Sequence, residues 1–390
     1  MPENGGYNTL SNPSSHMVKE GTPKSSGIKD IARTLGISIG TVDRALHNRS
    51  GVSPKTKARV LQMAERLGYK PNLAAQALKL NRRVRVAAIL PRQIACFFDP
   101  VRAGIRAATT AAVGLHVEVE FHEYPRLGYG DGELLEAALK KKYDGIIFTP
   151  GNPRKLDHLI RQHTRLGTAM LCVASDAPSS DRVASVSVDA YTSGCLAAEL
   201  LAHKLPQKDF VATITGDLTT LDHAEKLRGF AANLAMLAPH LSLLPAIQSH
   251  EKPKEAYRQV TALLKSATQP SGLYISTANS LSVLEALDEQ DLLGKIQVIT
   301  TDLFHELVPL IEAGKILATL YQRPFTQGKI AFETLLRYLL DPKKPPSVST
   351  LAPHIIFRSN LHLFIEQLMD EETESTTISS PNSGTRKGFK

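Results

Sequence analysis

The spacing of apolar residues near the start of the chain predicts two short helices joined by a tight turn. Between residues 28 and 35, apolar side chains recur at intervals of three and four residues, as they do on one face of a helix. Gly36 supplies the turn that follows, and Ser38 is a favourable N-cap for a second helix over residues 39–46. Two helices joined by a short turn that contains glycine have the form of a helix-turn-helix unit.

The next stretch predicts two further helices. Ser53 followed by Pro54 is a typical helix start, because serine caps the first turn and proline is tolerated at the first helical position. We expect this third helix to end at Leu67, before a glycine. Asn72 is a suitable cap for a fourth helix over residues 73–80. That helix is too short to be stable alone, since isolated helices under about 12 residues are marginal.

Beyond residue 83 the pattern changes to short apolar runs that alternate with amphipathic stretches. Strands buried on both faces and separated by helices are typical of parallel, doubly wound α/β sheets. About 280 residues of this pattern are more than a single hydrophobic core usually accommodates, so we expect two lobes. The expected strands include 84–90, 117–121, 145–149, 169–173, 210–215, 273–276 and 297–300, and the expected helices include 101–113, 190–205, 224–237, 257–265 and 280–289.

These patterns predict an N-terminal all-α region followed by a two-lobed α/β domain. Both ends of the chain are rich in small and polar residues without an apolar period, so we expect them to be disordered. The predicted segments are a tail over 1–26, a helix-turn-helix domain over 27–71, a hinge helix and linker over 72–83, the two-lobed domain over 84–368 and a tail over 369–390.

The positive charge is concentrated in the helical region. Residues 27–83 contain twelve lysines and arginines against three acids, although the net charge of the whole chain is +8. A small module that holds the whole excess of positive charge is typical of a protein that binds a polyanion. Charge alone would still favour an ordinary solvated basic surface, so the motif has to decide between the two.

Other classes of protein find no support in the sequence. Cys96, Cys172 and Cys195 lack the spacing of metal ligands, and we expect them to be reduced thiols of a cytoplasmic protein. We find neither an apolar run long enough to span a membrane nor the apolar segment of a secretory signal. Because the common nucleophile, zinc, phosphate-loop and dinucleotide motifs are missing, we expect no catalytic activity, no metal and no cofactor.

The stretch IKDIARTLGISIGTVDRALHNRSGVSPKTKARVLQMAERLGYKPNLAAQALK resembles the DNA-binding domain of the lactose-repressor (LacI) family without a gap. The resemblance implies that the second helix enters the major groove of double-stranded operator DNA, where its first turn meets base edges. By the resemblance, the base-reading positions are Ile39, Gly40 and Arg44, and the residues near phosphates are Thr41 and Asn48.

Arg44 and its neighbour Asp43 decide what this helix can read. Arg44 suits a bidentate contact with guanine, which is worth roughly 1–3 kcal/mol of discrimination. Asp43 departs from the commonest family pattern, which has serine there. An acid facing DNA weakens binding unless it accepts from a cytosine amino group or orients Arg44; the alternative is a plain intrahelical partner. Because Gly40 offers no side chain, we expect readout to depend on Arg44 and on DNA shape.

Residues 72–80 resemble the hinge helix of the same family, which forms only when two copies pack together on operator DNA. The resemblance matches Leu78 to the residue that wedges between base pairs in the minor groove, with Lys79 beside it. An apolar wedge of this kind kinks the duplex at the expense of base stacking. Without the preceding motif, Leu78 would be interpreted as a core residue of an ordinary connector.

The region over 84–368 resembles the periplasmic sugar-binding proteins, as the effector domains of the family do. Sugar sites combine aromatic rings with polar groups at the carboxyl ends of parallel strands. Phe97 and Phe98 resemble the aromatic pair that stacks on a pyranose, and Gln322 lies in an expected crossover between lobes. Singly, each Asp or Asn of the set is as well explained as a helix N-cap. The expected effector-binding residues are Phe97, Phe98, Asp176, Asp189, His223, Asn279, Asp302 and Gln322.

One position departs from the family's ligand pattern. The family has a ligand arginine five residues before the glycine of a Gly-Phe pair, here Gly229, and this chain has Ala224 there. His223 is adjacent and is a possible replacement, although a lone histidine is more often structural. The departure is also compatible with a pocket that binds no ligand.

Together, the resemblances imply a homodimeric transcriptional regulator, expected to repress, that binds a near-palindromic operator and responds to a small molecule such as a sugar. One alternative is a DNA-binding regulator whose sugar pocket does not function. The other is a soluble sugar-binding protein, against which the basic N-terminal region argues.

Overall fold

A computed structural model of the chain describes residues 27–46, 50–67, 83–112, 115–343, 346, 349–365 and 368. The chain divides by its contacts into one unit over residues 1–72 and a second over residues 73–390. The predicted tails and residues 72–82 of the predicted hinge lie outside the described residues. The same holds for the three predicted DNA contacts Asn48, Leu78 and Lys79.

The described part of the N-terminal unit consists of three helices around a small apolar core. The Ser38 hydroxyl accepts a hydrogen bond from the Thr41 amide at 3.1 Å, as expected of the N-cap of the second helix. Gly36 has a φ of +65°, a left-handed conformation that glycine adopts without steric cost, and it ends the first helix. The helices are α1 (Ile28–Leu35), α2 (Ile39–Leu46) and α3 (Pro54–Arg66). The buried residues are Ile31, Ala32, Val42, Ala45, Val60 and Ala64.

The predicted helix-turn-helix is therefore confirmed, and the third helix ends one residue before the predicted Leu67. Its start is as predicted, because the Ser53 hydroxyl accepts from the Thr56 amide at 3.2 Å and Pro54 is the first helical residue.

The second unit contains two sheets flanked by helices, one sheet in each lobe. Its strands are β1 (Val84–Pro91), β2 (Val117–Tyr124), β3 (Gly145–Phe148), β4 (Ala169–Val173), β5 (Ala184–Val188), β6 (Asp209–Thr215), β7 (Leu241–Leu243), β8 (Ile247–Gln248), β9 (Gly272–Ile275), β10 (Gln297–Thr301), β11 (Ala318–Tyr321), β12 (Ser349–Leu351) and β13 (His354–Ile356). Its helices are α4 (Ala95–Ala111), α5 (Asp131–Leu139), α6 (Pro153–Arg165), α7 (Ala190–Lys204), α8 (Leu221–Leu237), α9 (Pro253–Leu264), α10 (Leu281–Asp288), α11 (Val308–Glu312) and α12 (Pro324–Leu340), with a 3₁₀ turn over His305–Leu307.

The sheet order shows a doubly wound, mainly parallel architecture in both lobes. The first lobe has the order β12-β5-β4-β3-β1-β2, and all of its pairings are parallel. The second has the order β13-β11-β10-β9-β6-β7, with β8 beside β6, and only β13 is antiparallel to its neighbour among the described strands. Alternate residues of β1 pack into different apolar clusters on the two faces of its sheet, which explains why its sequence is apolar except for Arg85. The predicted fold class is confirmed.

The described chain crosses between the lobes after β5, after β11 and after β12. The second of these crossings contains Gln322, as predicted, and leads into α12, which packs on α4 and on the first lobe's sheet. Three connections keep the two lobes covalently tied at one side and leave a cleft between the carboxyl ends of their strands.

Three predicted helices start later than the observed ones, and the largest difference is in the helix predicted over 101–113. The sequence predicted a helix from Val101, but α4 begins at Ala95 and contains Pro100. A proline beyond the first turn removes a helical hydrogen bond. Starting the helix earlier offsets this loss, because it buries Phe97 and Phe98. The amides of these two residues also donate to the Ile94 carbonyl at 3.0 Å. Tertiary packing thus overrides the local preference.

Glycines allow α7 and α8 to pack closely, and this contact positions the cleft residues carried by α8. A Cβ on Gly194 of α7 would lie 2.0 Å from the Lys226 carbonyl oxygen, and one on Gly229 of α8 would lie 2.1 Å from the Tyr191 carbonyl oxygen. Real Cβ atoms do not approach backbone so closely, so any side chain here must push the helices apart.

We expect Gly194→Ala to destabilise the second unit by about 1–3 kcal/mol, the usual cost of overpacking a well-packed core. Chemical unfolding of the full chain measures this change. Gly132→Ala in α5 is the matched control, since its Cβ would meet Leu156 only at an ordinary 3.6 Å. Equal stability of the two variants would contradict the close helix contact.

Candidate nucleic-acid interface and ligand cavity

The outward face of α2 presents the residues expected to read DNA. Ile39 is 50% exposed although it is apolar, and Gly40 and Arg44 are exposed as well. The opposite face is held in the core by Val42 and Ala45, which are buried. The helix is therefore fixed in rotation, and the predicted base-reading positions lie on its free side.

The side chains around Arg44 are organised along the helix. The Arg44 guanidinium donates to the Thr41 hydroxyl at 3.5 Å, and that hydroxyl lies 2.9 Å from the Ser38 hydroxyl. Asp43, on the same helix, is half-buried and has an interaction of its own. Arg44 remains exposed, so its fork of N–H donors is available to a guanine edge.

A cavity lies between the two lobes of the second unit. Its wall in the first lobe consists of Ile94, Phe97, Phe98, Leu127, Thr149, Ala174 and Ser175. Its wall in the second lobe consists of Thr220, Asp222, His223, Lys226, Ser276, Thr277, Ala278 and Gln322. The rings of Phe97 and Phe98 meet edge to face, with centroids 4.9 Å apart. The cavity thus combines aromatic rings on one side with hydrogen-bonding groups on the other.

The structure brings together some of the predicted effector residues and separates others. Phe97, Phe98, His223 and Gln322 line the cavity, and Asp302 lies directly behind Gln322. The remaining three predicted residues line two neighbouring depressions. Asp176 and Asp189 lie in one that shares Ser175 and Asp222 with the cavity, and Asn279 lies in the other, which shares Ile94 and Ala278.

Two of the outlying residues have structural partners. Asp189 is the N-cap of α7, and its carboxylate accepts from the Thr192 amide at 2.8 Å, as the alternative interpretation expected. Asp176 forms a two-pronged ion pair with Arg182, which includes a contact of 2.6 Å from the guanidinium Nη2. Such bidentate pairing fixes the carboxylate and offsets its charge.

Lys226 is the central polar group of the cavity, and the sequence analysis did not include it. The lysine is 1% exposed, and its Nζ lies 2.7 Å from Asp222 Oδ2. The ammonium also donates to Gln322 Oε1 at 2.9 Å and contacts the Ser276 carbonyl at 3.4 Å. A buried lysine charge needs such a partner, because desolvation alone would be costly.

A sequence signal for Lys226 does exist. Asp222 and Lys226 are four residues apart, the spacing of an intrahelical ion pair. Lys226 is also four residues before Phe230 and three after His223, so it falls on the buried stripe of α8. A charged residue on an apolar helical face is an uncommon feature that marks a buried interaction.

Asp302 continues the polar network behind Gln322. Its carboxylate accepts from the Gln322 amide nitrogens, from Nε2 at 2.6 Å and from the backbone N at 2.9 Å. Burial raises the pKa of Asp302 to about 6, although Lys226 and the Gln322 hydrogen bonds oppose this rise. The residue therefore changes charge in a mildly acidic range.

The folded protein binds the Asp302 proton more tightly than the unfolded chain does. Asp302 therefore lowers stability above pH 6, and this penalty is relieved as the pH falls from about 6 toward 4. As the pH falls through this range, we expect the melting temperature of Asp302→Asn to rise less than that of the unaltered protein, because the variant has no carboxylate to protonate. Thermal melts of both proteins from pH 7.5 to 4.5 test this, and parallel curves would refute it.

His223 and Glu251 form a second buried pair beside the cavity. His223 Nε2 lies 3.5 Å from Glu251 Oε1, and the Thr277 hydroxyl donates to Glu251 Oε2 at 3.0 Å. Burial raises the pKa of Glu251, while His223 and Thr277 lower it. His223 is thus held by a carboxylate, with an edge on the cavity wall.

The lobes touch directly across the cleft. The Thr220 hydroxyl donates to the Gly151 carbonyl at 2.8 Å, and Gln93 Nε2 donates to the Glu251 carbonyl. The cavity enclosed between them is about 40 Å³, well below the roughly 300 Å³ at which ordinary ligand pockets begin. A sugar ring therefore enters only if the lobes part or the wall residues move.

Comparison with known proteins assigns families to both units. Residues 27–72 match the family described as bacterial regulatory proteins of the lacI family, and residues 86–343 match the periplasmic binding protein domain. A helix-turn-helix unit joined to a periplasmic binding protein domain defines a class of DNA-binding transcriptional regulator. The chain belongs to the family of the periplasmic binding protein domain, which covers more than half of it, and carries a DNA-binding domain of the lacI family at its N-terminal end.

Two curated relatives align with most of the chain. Catabolite control protein A of Priestia megaterium is 23% identical over 337 residues, covering 85% of this chain and 98% of the relative. The ribose operon repressor of Haemophilus influenzae is 22% identical over 342 residues, covering 86% of this chain and 98% of the relative. Together with the family match, they show that the chain is a DNA-binding transcriptional regulator.

A solved structure supports the fold of the second unit. The solute-binding protein of an ABC transporter from Burkholderia graminis C4D1M, in complex with D-arabinose, has a TM-score of 0.66 and 20% identity. The match covers 72% of this chain and 97% of that protein, and it shows the shared fold. Within the described residues, no helix has both the length and the apolarity needed to cross a bilayer.

Proposed function

We propose that the protein represses transcription by binding a near-palindromic operator as a homodimer, and that a sugar bound between the lobes changes its affinity for DNA. One observation carries this proposal: a single chain joins a LacI-type headpiece, with an exposed Arg44 on its reading helix, to an interlobe cavity with paired phenylalanines. The repression is suggested by the relative named as a ribose operon repressor. Since the proposed target is DNA, we expect the protein to be cytoplasmic, and we expect no catalytic role.

The proposed segments and contacts follow from this arrangement. The headpiece over 27–71 reads the major groove through Ile39, Gly40, Thr41 and Arg44, with Asn48 near a phosphate. The hinge over 72–83 pairs with that of a second copy, and Leu78 and Lys79 enter the minor groove. The domain over 84–368 holds the effector between its lobes, against Phe97, Phe98, His223 and Gln322. We expect a ligand that changes the closure of the two lobes to change how the paired hinges meet as well.

The coupling between ligand and DNA is tested by measuring operator affinity with and without each member of a sugar panel. We expect one sugar to change the affinity by about 5- to 150-fold, the usual range of coupling between two sites. By reciprocity, the operator must change the affinity for that sugar by the same factor. Specific operator binding that no sugar alters would remove the effector from the proposal.

A regulator whose pocket does not function is the second candidate, and the small cavity favours it. The cavity is only about 40 Å³, and Lys226 Nζ already lies 2.7 Å from Asp222 Oδ2 inside it. On this alternative, the second unit serves for dimerisation, and operator affinity is independent of every sugar. Calorimetric titration of the full chain with monosaccharides distinguishes the two, since heat of binding would exclude the second candidate.

A further inference from the structure

We propose that the effector is an uncharged, hydroxyl-rich molecule, and that sugars carrying a phosphate or carboxylate are excluded. This inference rests on the proposed function, because it names the ligand class of the same cavity. It depends on three features of the described residues: a lysine whose charge is already offset, a buried carboxylate oxygen that lacks a donor, and an acidic approach.

The charge of Lys226 is not available to a ligand. Lys226 is the only lysine or arginine among the described residues that line the cavity. Its ammonium has three N–H donors, and the structure directs them to Asp222, Gln322 and the Ser276 carbonyl. The other basic side chain of the wall, His223, faces Glu251. An anion that entered the cavity would therefore displace an existing partner from either basic side chain.

The cavity instead contains a carboxylate oxygen that lacks a hydrogen-bond donor in the described part of the chain. Asp222 Oδ2 meets Lys226, but the buried Oδ1 of the same carboxylate has no hydrogen-bond partner among the described residues, and neither does the Ser175 hydroxyl. Buried polar atoms normally have a partner, and a carboxylate oxygen only accepts. A hydroxyl of a sugar or polyol supplies the missing proton. A phosphate ester or a sugar acid has acceptor oxygens and negative charge at the same place, so it would be repelled.

The approach to the cavity adds to this preference. The depression that shares Ser175 and Asp222 with the cavity is also lined by Asp176, Asp189 and Glu225. Its described lining contains no lysine, arginine or histidine. Arginines outside the depression pair with Asp176 and Glu225, so the negative electrostatic potential of the depression is modest. The described lining of the depression nevertheless offers no positive charge that would attract an anion.

The first arm of the test uses matched ligand pairs on the full chain. D-Ribose, D-glucose, D-arabinose and myo-inositol are each compared with the corresponding phosphate ester by thermal shift, and operator affinity is measured in the same samples. We expect one or more neutral members to raise the melting temperature and none of the esters to do so. An ester that binds, or a panel without any neutral binder, would overturn the inference. Neither result touches operator binding, whose loss would instead contradict the proposed function.

The second arm reverses the chemistry of one atom. In Asp222→Asn the amide oxygen stays toward Lys226, so the amide NH₂ faces the cavity. The variant therefore presents a hydrogen-bond donor where the carboxylate presents an acceptor. We expect neutral-sugar affinity to fall by about tenfold or more, the effect of a lost hydrogen bond to a charged group, and the ester of the same sugar to gain binding.

Glu255→Gln is the matched control, because it removes the same charge from an ion pair with Arg258 on α9, away from the cavity and from the acidic depression beside it. We expect this variant to keep the neutral preference. The same change in ligand preference in both variants would show a general charge effect and overturn the role of Asp222. An Asp222→Asn protein that keeps full neutral-sugar affinity would overturn it as well.

Discussion

Arg44→Ala is expected to abolish the preference for the operator while leaving weak, salt-sensitive binding to any duplex. Arg44 is exposed on α2, whose rotation is fixed by the buried Val42 and Ala45, and its donors match the two acceptors of a guanine edge. A contact of this kind contributes roughly 1–3 kcal/mol, so each half-site should lose about fivefold to 150-fold in discrimination. Binding to random DNA depends on the remaining positive charge of residues 27–83 and should persist.

The measurement is a pair of titrations, with operator and with random duplex, at several salt concentrations. Arg33→Ala is the matched control, because Arg33 is an exposed arginine of α1 that lies 3.5 Å from Asp30 and outside the reading helix. The control should keep the preference for the operator. If Arg44→Ala weakened binding to both duplexes by the same factor, Arg44 would be a phosphate contact and the assigned role would be wrong.

Lys226→Met is expected to destabilise the second unit by about 3–5 kcal/mol, the cost of leaving a buried charge without its partner. The substitution removes the ammonium that lies 2.7 Å from Asp222 and that offsets the negative charge of Asp302. The cost arises mainly from the carboxylates that remain. Replacing both members, as in Lys226→Met with Asp222→Leu, should recover part of the loss, since an apolar pair often substitutes for a buried ion pair.

Urea unfolding of the single and double variants measures this interaction as a double-mutant cycle. Arg228→Met serves as control on the same helix, because its ion pair with Glu225 is exposed and should change stability little. A Lys226→Met protein as stable as the control would show that Lys226 is not the partner on which the carboxylates depend.

Much of the fold could be predicted because local signals agree with tertiary packing. The Ser38 and Ser53 caps form as expected, and the predicted strands occur with ends displaced by three residues or fewer. Predictions failed where packing overrides a local preference, as at the start of α4, where burial of Phe97 and Phe98 extends the helix through Pro100. Helix and strand boundaries are set by such contacts, which no short window of sequence contains.

The candidate site was predictable only in part, for a physical reason. Position at the end of a strand was enough to locate Gln322 and Asp302, because the carboxyl ends of parallel strands meet at the cleft. The same rule also selects helix caps, and Asp189 is one. It misses polar groups carried on helices, which is why Lys226 and Asp222 were not found although they form the central ion pair of the cavity.

The central claim is that the N-terminal unit reads sequence in duplex DNA, and selection from a random pool tests it most directly. The purified full-length chain is mixed with random duplexes at moderate salt, and the bound fraction is amplified and sequenced over several rounds. We predict enrichment of one near-palindromic motif, with two half-sites related by the symmetry of a dimer. A bound pool as random as the starting pool would contradict the account.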